Sequence, residues 1–256
     1  KRLGTFFAEG IPANGYKTYI LTDESPAQVE NSLKGEEQAN YIENKWYKVS
    51  FDKKKGCIRS IWDKTNKREL VDDQSENGFG SYVYERYDKE QSYRYLKEYI
   101  YDKYKNSHYQ ITGKSTYLDE RTKGIHESPR NMEFHVENHK SSIRGVLTPS
   151  ASVGEEKHTA GLTVTLYENM PCIDVKLSVI NKPATEEPEA GWIALPFKTK
   201  SPEYRVGRIG SVVDPAKDLI EGSQFNYIWS NSGIMIKDEE YSVGVCPIDA
   251  PAFVLG

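Results

Sequence analysis

Residues 161–180 hold two runs of strict alternation joined by a four-residue reversal. Leu162, Val164 and Leu166 alternate with Thr163, Thr165 and Tyr167. After Glu168-Asn169-Met170-Pro171, Ile173, Val175, Leu177 and Val179 alternate with Asp174, Lys176 and Ser178. A period of two sends successive side chains to opposite faces of a strand, so each run has one apolar and one polar face. Two such runs across a short turn fold back as an antiparallel hairpin, whose apolar face needs a second layer to cover it.

A second hairpin spans residues 44–73. Tyr47, Val49 and Phe51 fall on one side of its first strand, and Trp46, Lys48 and Ser50 on the other. Residues 52–56 form a charged turn closed by Gly56, and residues 57–62 return along the first strand. Residues 63–67 make a polar reversal, from which residues 68–71 depart. Apolar residues on both faces predict that this hairpin lies within a larger sheet system.

Further strands are predicted over residues 16–21, 81–85, 109–117, 131–136, 143–147, 192–197, 228–236 and 243–245. Pro196 marks an edge or a strand end, because proline cannot donate to a ladder. Pro12-Ala13-Asn14-Gly15 reads as a turn, residues 22–40 as a polar surface connection, and residues 206–223 as turn-rich around Asp214-Pro215. Residues 88–105 mix Tyr with Lys and Glu at no consistent period, which suits a short helix or a long exposed loop equally. Many strands with Gly, Pro and Asn punctuation predict a mainly β chain, a large antiparallel β-sandwich with few short helices. Residues 1–40 read as a leading strand and surface connection, and residues 41–256 as one sandwich domain. The chain starts at Lys1 and stops within an apparent strand, so a fragment of a longer polypeptide is expected.

Charge narrows the function classes. The 34 basic and 38 acidic residues leave a net charge of −4, with no basic excess to hold a phosphate backbone, so no nucleic-acid partner is expected. The apolar runs fall short of the ~20 residues of a membrane-spanning helix, and no membrane partner is expected. Cys57, Cys172 and Cys246 are isolated, without a C-x-x-C pair. They read as buried free thiols rather than a disulfide framework or a thiolate zinc site.

Candidate chemistry is sparse. His135 and His139 stand four apart, but on a strand that spacing separates them by ~13 Å, too far to share a metal. His108, His126 and His158 have no ligand-like sequence neighbours. There is no G-x-S-x-G, no P-loop and no glycine fingerprint. Asp214, Asp218 and Glu221 cluster in a Gly/Pro loop, where carboxylates either hydrogen-bond sugar hydroxyls or cap turns. Tyr82, Tyr84, Tyr87, Tyr93 and Tyr95, with Arg86 and Arg94, suit either a carbohydrate groove or ordinary strand-face packing. No catalytic set can be assembled.

Four stretches together resemble the C-terminal β-sandwich region of glycoside hydrolase family 38, the α-mannosidases. Ile11-Pro12-Ala13-Asn14-Gly15-Tyr16 is similar to the family's "lPA-x-GY" stretch, and residues 43–72 are similar to its "EN…fd…tG…D-K" hairpin. Leu166-Tyr167-Glu168 and the strand after it resemble the superfamily's paired strands. Residues 241–256, YSVGVCPIDAPAFVLG, resemble its late "lDaP" strand pair. The likeness is loose over residues 86–141. It implies a supersandwich of the galactose-mutarotase-like type beside an α/β barrel. That barrel carries the aspartate nucleophile and the zinc, so no cofactor and no catalytic residue is expected in this chain. The implied partners are the catalytic barrel domain of the same polypeptide and a mannose-containing glycan. Gly80-Ser81-Tyr82-Val83-Tyr84 resembles the family's "sGAYlF" strand, whose tyrosine reaches substrate hydroxyls. That resemblance makes Tyr82 the first substrate-binding candidate; Tyr84 is a further one, as are Asp214 and Asp218, which depart from the family's pattern. A carbohydrate-binding module without a barrel, a stand-alone mutarotase and a purely structural packing domain are the rival readings.

Overall fold

The structure is a computed structural model that describes residues 8–22, 31–88, 90, 91, 94, 125–150, 158–185, 188–220 and 227–255. The predicted strand over 109–117 lies outside the described residues, as do His108, Tyr93, Tyr95 and Glu221. The chain is mainly β and divides into two compact units. One comprises residues 1–89 and 117–197, and the other residues 90–116 and 198–256.

The first unit contains the sandwich. One sheet has five antiparallel strands in chain order: β1 Lys34–Glu36, β2 Tyr41–Glu43, β3 Tyr47–Asp52, β4 Cys57–Asp63 and β5 Arg68–Glu69. A three-stranded sheet places β6 Tyr82–Arg86 between β7 Ile125–Glu127 and β12 Glu189–Ile193. The third runs β8 Glu133–Asn138, β9 Ser142–Thr148, β10 Thr159–Tyr167 and β11 Ile173–Ile180. The long hairpin expected from alternation is the β10–β11 pair, with Leu162 opposite Leu177 and Val164 opposite Val175.

The apolar face of this third sheet is covered from the other side. Phe51 of β3 packs against Phe134 of β8, tilted, with ring centroids 4.6 Å apart. Ile42, Val49, Ile58 and Ile61 from the first sheet, and Ile143, Leu147, Leu162, Val164 and Leu166 from the third, are all buried. Burial of this kind contributes about 1.5–3 kcal/mol per large aliphatic side chain.

Two turns of the 44–73 hairpin form for the anticipated reasons. Asp52 Oδ1 accepts from Lys54 N and Lys55 N, and Gly56 N closes the loop on Asp52 O at 2.9 Å. Asp63 Oδ1 does the same for Thr65 N and Asn66 N. The second face of the hairpin departs from expectation, since Trp62 stays 41% exposed. A register shift between Ser50 and Phe51 pairs Phe51 with Ile58 and leaves Arg59 as the extra residue. This bulge turns both Ile58 and Ile61 toward the core although they are three apart.

Other expectations need correction. Residues 16–21 are not a strand among the described residues, although the preceding turn forms, with Gly15 N on Pro12 O at 3.0 Å. The connection over 22–40 contains β1. Gly35 sits where a Cβ would lie 2.8 Å from both Ile143 and Val136 side chains, so a larger residue would have to displace them where β1 lies against the third sheet. The strand predicted at 192–197 occurs earlier, as β12, and residues 194–197 continue with single bonds such as Asp72 N to Pro196 O. Cys57 is buried, and burial with the nearby Asp52 charge pushes its thiol up to about 11. Cys172 is half-buried and Cys246 exposed, so the three are not uniformly core residues.

The second unit holds β13 Glu203–Arg208, β14 Ser211–Val213, β16 Gly233–Lys237 and β17 Ser242–Val245 in the sheet order β14-β13-β16-β17. A short pair joins β15 Ile228–Trp229 to β18 Ala252–Phe253. The region read as turn-rich therefore contains a hairpin. Only Ile209 and Gly210 form its loop. Val206, Ile228 and Ile234 form this unit's core.

Candidate functional site

β6 lies in the middle of its sheet, so its two faces meet different surroundings. Tyr82 and Tyr84 are two apart and share a face, their rings stacked with centroids 6.5 Å apart. Both are buried, at 4% and 1% exposure, against Ala160 of β10 and Leu177 of β11. His158 stands edge-on to both rings, at 5.7 Å from Tyr82 and 4.8 Å from Tyr84. The Tyr82 hydroxyl and His158 Nε2 share a hydrogen bond of 3.2 Å. Burial, reinforced by the Glu189 charge, raises the Tyr82 phenol above its ordinary value, so it stays protonated.

Tyr84 donates to Glu189 Oε2 at 2.8 Å, and Lys182 Nζ reaches the same oxygen at 2.6 Å. Lys182 Nζ also lies 5.3 Å from the Tyr84 ring centroid. The register explains this placement: Glu189 opens β12 opposite Arg86, and Gly191 faces Tyr84. On the other face of β6, Glu85 Oε2 accepts from Tyr87 Oη at 2.7 Å and from Trp192 Nε1 at 2.9 Å. This second group is half-buried and combines two aromatic surfaces with a carboxylate.

Asp214 and Asp218 lie in the second unit. Asp214 is the N-cap of the one-turn helix Pro215–Asp218, with proline at the first helical positions. Its Oδ1 accepts from Ala216 N, while Oδ2 lies 3.0 Å from Arg205 and 3.2 Å from Lys217. Asp218 Oδ2 accepts from Asp214 N at 2.7 Å. Each candidate pair is thus assembled within its own unit: Tyr82 with Tyr84, and Asp214 with Asp218.

Burial alone raises the pKa of Asp214, but the hydrogen bonds from Lys217 and Ala216 and the Arg205 charge outweigh it and hold the carboxyl below its usual value. Such a group stays ionised and accepts hydrogen bonds. It does not supply the raised carboxylic acid that glycoside hydrolysis needs. Asp238 is held low in the same sense, by the backbone N–H groups of Ser201 and Lys200.

A depressed folded pKa contributes stability that is complete above the unfolded value of about 3.9 and is lost as pH falls through the folded one. The second unit's unfolding temperature is therefore expected to be flat from pH 7 to 5 and to fall below about pH 4. Asp238→Asn should shrink that fall. Melting curves across pH, resolved by hydrogen exchange in β16 and β17, check this. A melting temperature already falling between pH 7 and 5 would contradict it.

Sequence reasoning missed His158, Glu189, Lys182, Glu85 and Trp192. Among the described residues no group of three His, Cys, Asp or Glu side chains is placed to hold a metal ion. His135 and His139 lie exposed at one end of the third sheet, paired loosely with Glu133 and Glu137. A family model described as the glycosyl hydrolases family 38 C-terminal domain matches residues 42–247, which run from β2 to just past β17. No curated protein matches the chain.

Proposed function

The chain belongs to glycoside hydrolase family 38, as its C-terminal domain, and on that premise we propose that it is the non-catalytic sandwich of an α-mannosidase. In this reading it supports a catalytic barrel of the same polypeptide and lines part of a site for mannose-containing glycans. The zinc and the nucleophile belong to that barrel, and no step of bond cleavage is assigned to a residue of this chain.

One observation supports the sugar-site role above others. The strand that resembles the family's substrate-facing one carries a phenol at Tyr82 whose hydroxyl is held by His158 at 3.2 Å. The ring is buried, so the assignment falls on the hydroxyl, fixed in direction by His158 and kept protonated by burial. Such a fixed hydroxyl suits a hydrogen bond to a sugar hydroxyl at low entropic cost. Within the first unit Tyr84 takes part only by exchanging Glu189 for a sugar hydroxyl, and within the second Asp214 and Asp218 only by giving up Ala216 N, Arg205 and Lys217, and Asp214 N.

The burial of Tyr82 and Tyr84 favours a second reading, a purely structural module. Kinetics of the full polypeptide separates the two. The first reading expects preference for an aryl α-mannoside over the β-mannoside and the α-glucoside. It also expects Tyr82→Phe to lower kcat/KM by about 10–100-fold, the loss of one buried donor to substrate. Unchanged kcat/KM in Tyr82→Phe, with the fold intact, supports the structural reading.

A further inference from the structure

β11 is the outer strand of the third sheet, paired with β10 on one side and with no strand on the other among the described residues. A free edge invites another strand, and folded chains guard it by shortness, bulges, proline, charge or a covering group. The first sheet ends in β1 and β5, of three and two residues. At the opposite edge of the third sheet, Val136 N of β8 donates to Glu37 Oε1 at 2.9 Å. β11 instead runs for eight residues without proline, and its register with β10 is unbroken from Ile173 to Ile180.

The ladder fixes which groups of β11 face outward. Bonded and non-bonded residue pairs alternate along an antiparallel pair. Glu168 N donates to Ser141 O at 3.0 Å, so four residues further on Gly145 bonds to Val164. Val164 then turns its N–H and C=O away from Val175, and those of Val175 point off the free edge, as do those of Ile173 and Leu177. Two such edges meet antiparallel only where outward groups face outward groups, so odd-numbered residues lie opposite odd-numbered ones. Centred on Val175, this sets Asp174 opposite Lys176 of the second copy and Ile173 opposite its Leu177. Centred on Lys176, the same edges bring two lysines face to face, and centred on Leu177 they put Asp174 against Ile180. Asp174 and Lys176 are both exposed on the outer face of the sheet, opposite Thr165 and Thr163 of β10. Lys176 alone would guard the edge, but beside Asp174 it selects one register of self-pairing.

We propose that β11 is a pairing edge for a second copy of this chain, joined antiparallel about a two-fold axis at Val175. The occupant follows from the charges, because a strand that is its own complement meets the requirement of a two-fold contact. A contact of a few residues a side makes a weak dimer that dissociates on dilution. The inference uses none of the candidate sugar contacts, so it stands or falls apart from the reading above.

Sedimentation of the full polypeptide over a range of concentrations tests it, and a monomer–dimer equilibrium is the expected result. Asp174→Lys and Lys176→Asp should each raise the dissociation constant at least about 10-fold, since each sets like charges opposite one another at two places. Mixed in equal amounts, the two variants should pair with each other as the unaltered protein pairs with itself. Val175→Pro removes an N–H that β10 does not use. It should abolish the dimer while β10 stays protected from hydrogen exchange and reports an intact sheet. A monomer at every concentration would overturn the proposal. So would a dimer that neither charge reversal weakens, or variants that fail to pair when mixed.

Discussion

Asn44→Ala is expected to destabilise the first unit by about 3–5 kcal/mol, because one buried side chain serves three backbone groups. Asn44 is fully buried. Its Oδ1 accepts from Trp46 N at 2.9 Å and Tyr47 N at 2.7 Å, which sets the bend into β3. Its Nδ2 donates to Tyr167 O at 2.9 Å, the last residue of β10, and so ties the first sheet to the third. Truncation strands two donors and one acceptor, each at about 1–3 kcal/mol when water cannot replace the partner. Asn44→Asp keeps the acceptor, loses the donor to Tyr167 and buries a charge, so it should be no better. Asn66→Ala is the control. That residue is exposed and donates to Asp63, and its loss should stay within about 0.5 kcal/mol. Denaturant unfolding of the three variants checks the ranking, and equal midpoints for Asn44→Ala and Asn66→Ala would contradict it.

The second large effect concerns the contact between the sheets. A Cβ on Gly145 would lie 2.6 Å from Phe51 Cζ and 3.0 Å from the Phe134 ring. The two rings already pack against each other with centroids 4.6 Å apart. Gly145→Val should therefore force Phe51 off its position and cost about 3 kcal/mol, the upper range for overpacking. In a unit of this size that lowers the melting temperature by about 6–12 °C. Phe51→Leu should recover part of the loss in the double variant, since the two sites share one volume. Additive losses would mean that the clash is relieved elsewhere.

These two positions also mark how far the sequence was readable. The β10–β11 hairpin was legible because alternation along both strands admits only one face for Leu162, Val164 and Leu166. The β3–β4 turns were legible because Asp52 and Asp63 act on neighbours two and three residues away. β1 was not, because its central glycine answers to Ile143 and Val136, more than 100 residues on. The bulge in β4 likewise depends on the pairing with β3 rather than on its own pattern. At the candidate site, a shared face for Tyr82 and Tyr84 followed from their spacing. Their partners did not: His158 and Glu189 lie 76 and 105 residues away, and no local pattern encodes their contacts. The turn-capping alternative to the substrate-binding reading of Asp214 was legible, since an Asp-Pro pair opening a helical turn is a local device.

The division of labour between this sandwich and a catalytic barrel is tested most directly by turnover of an aryl α-mannoside. The full polypeptide and the 256-residue chain are compared with and without chelator, with circular dichroism confirming that the chain is folded. The account predicts chelator-sensitive hydrolysis by the full polypeptide and none by the chain alone. Hydrolysis by the folded chain in metal-free buffer would contradict it.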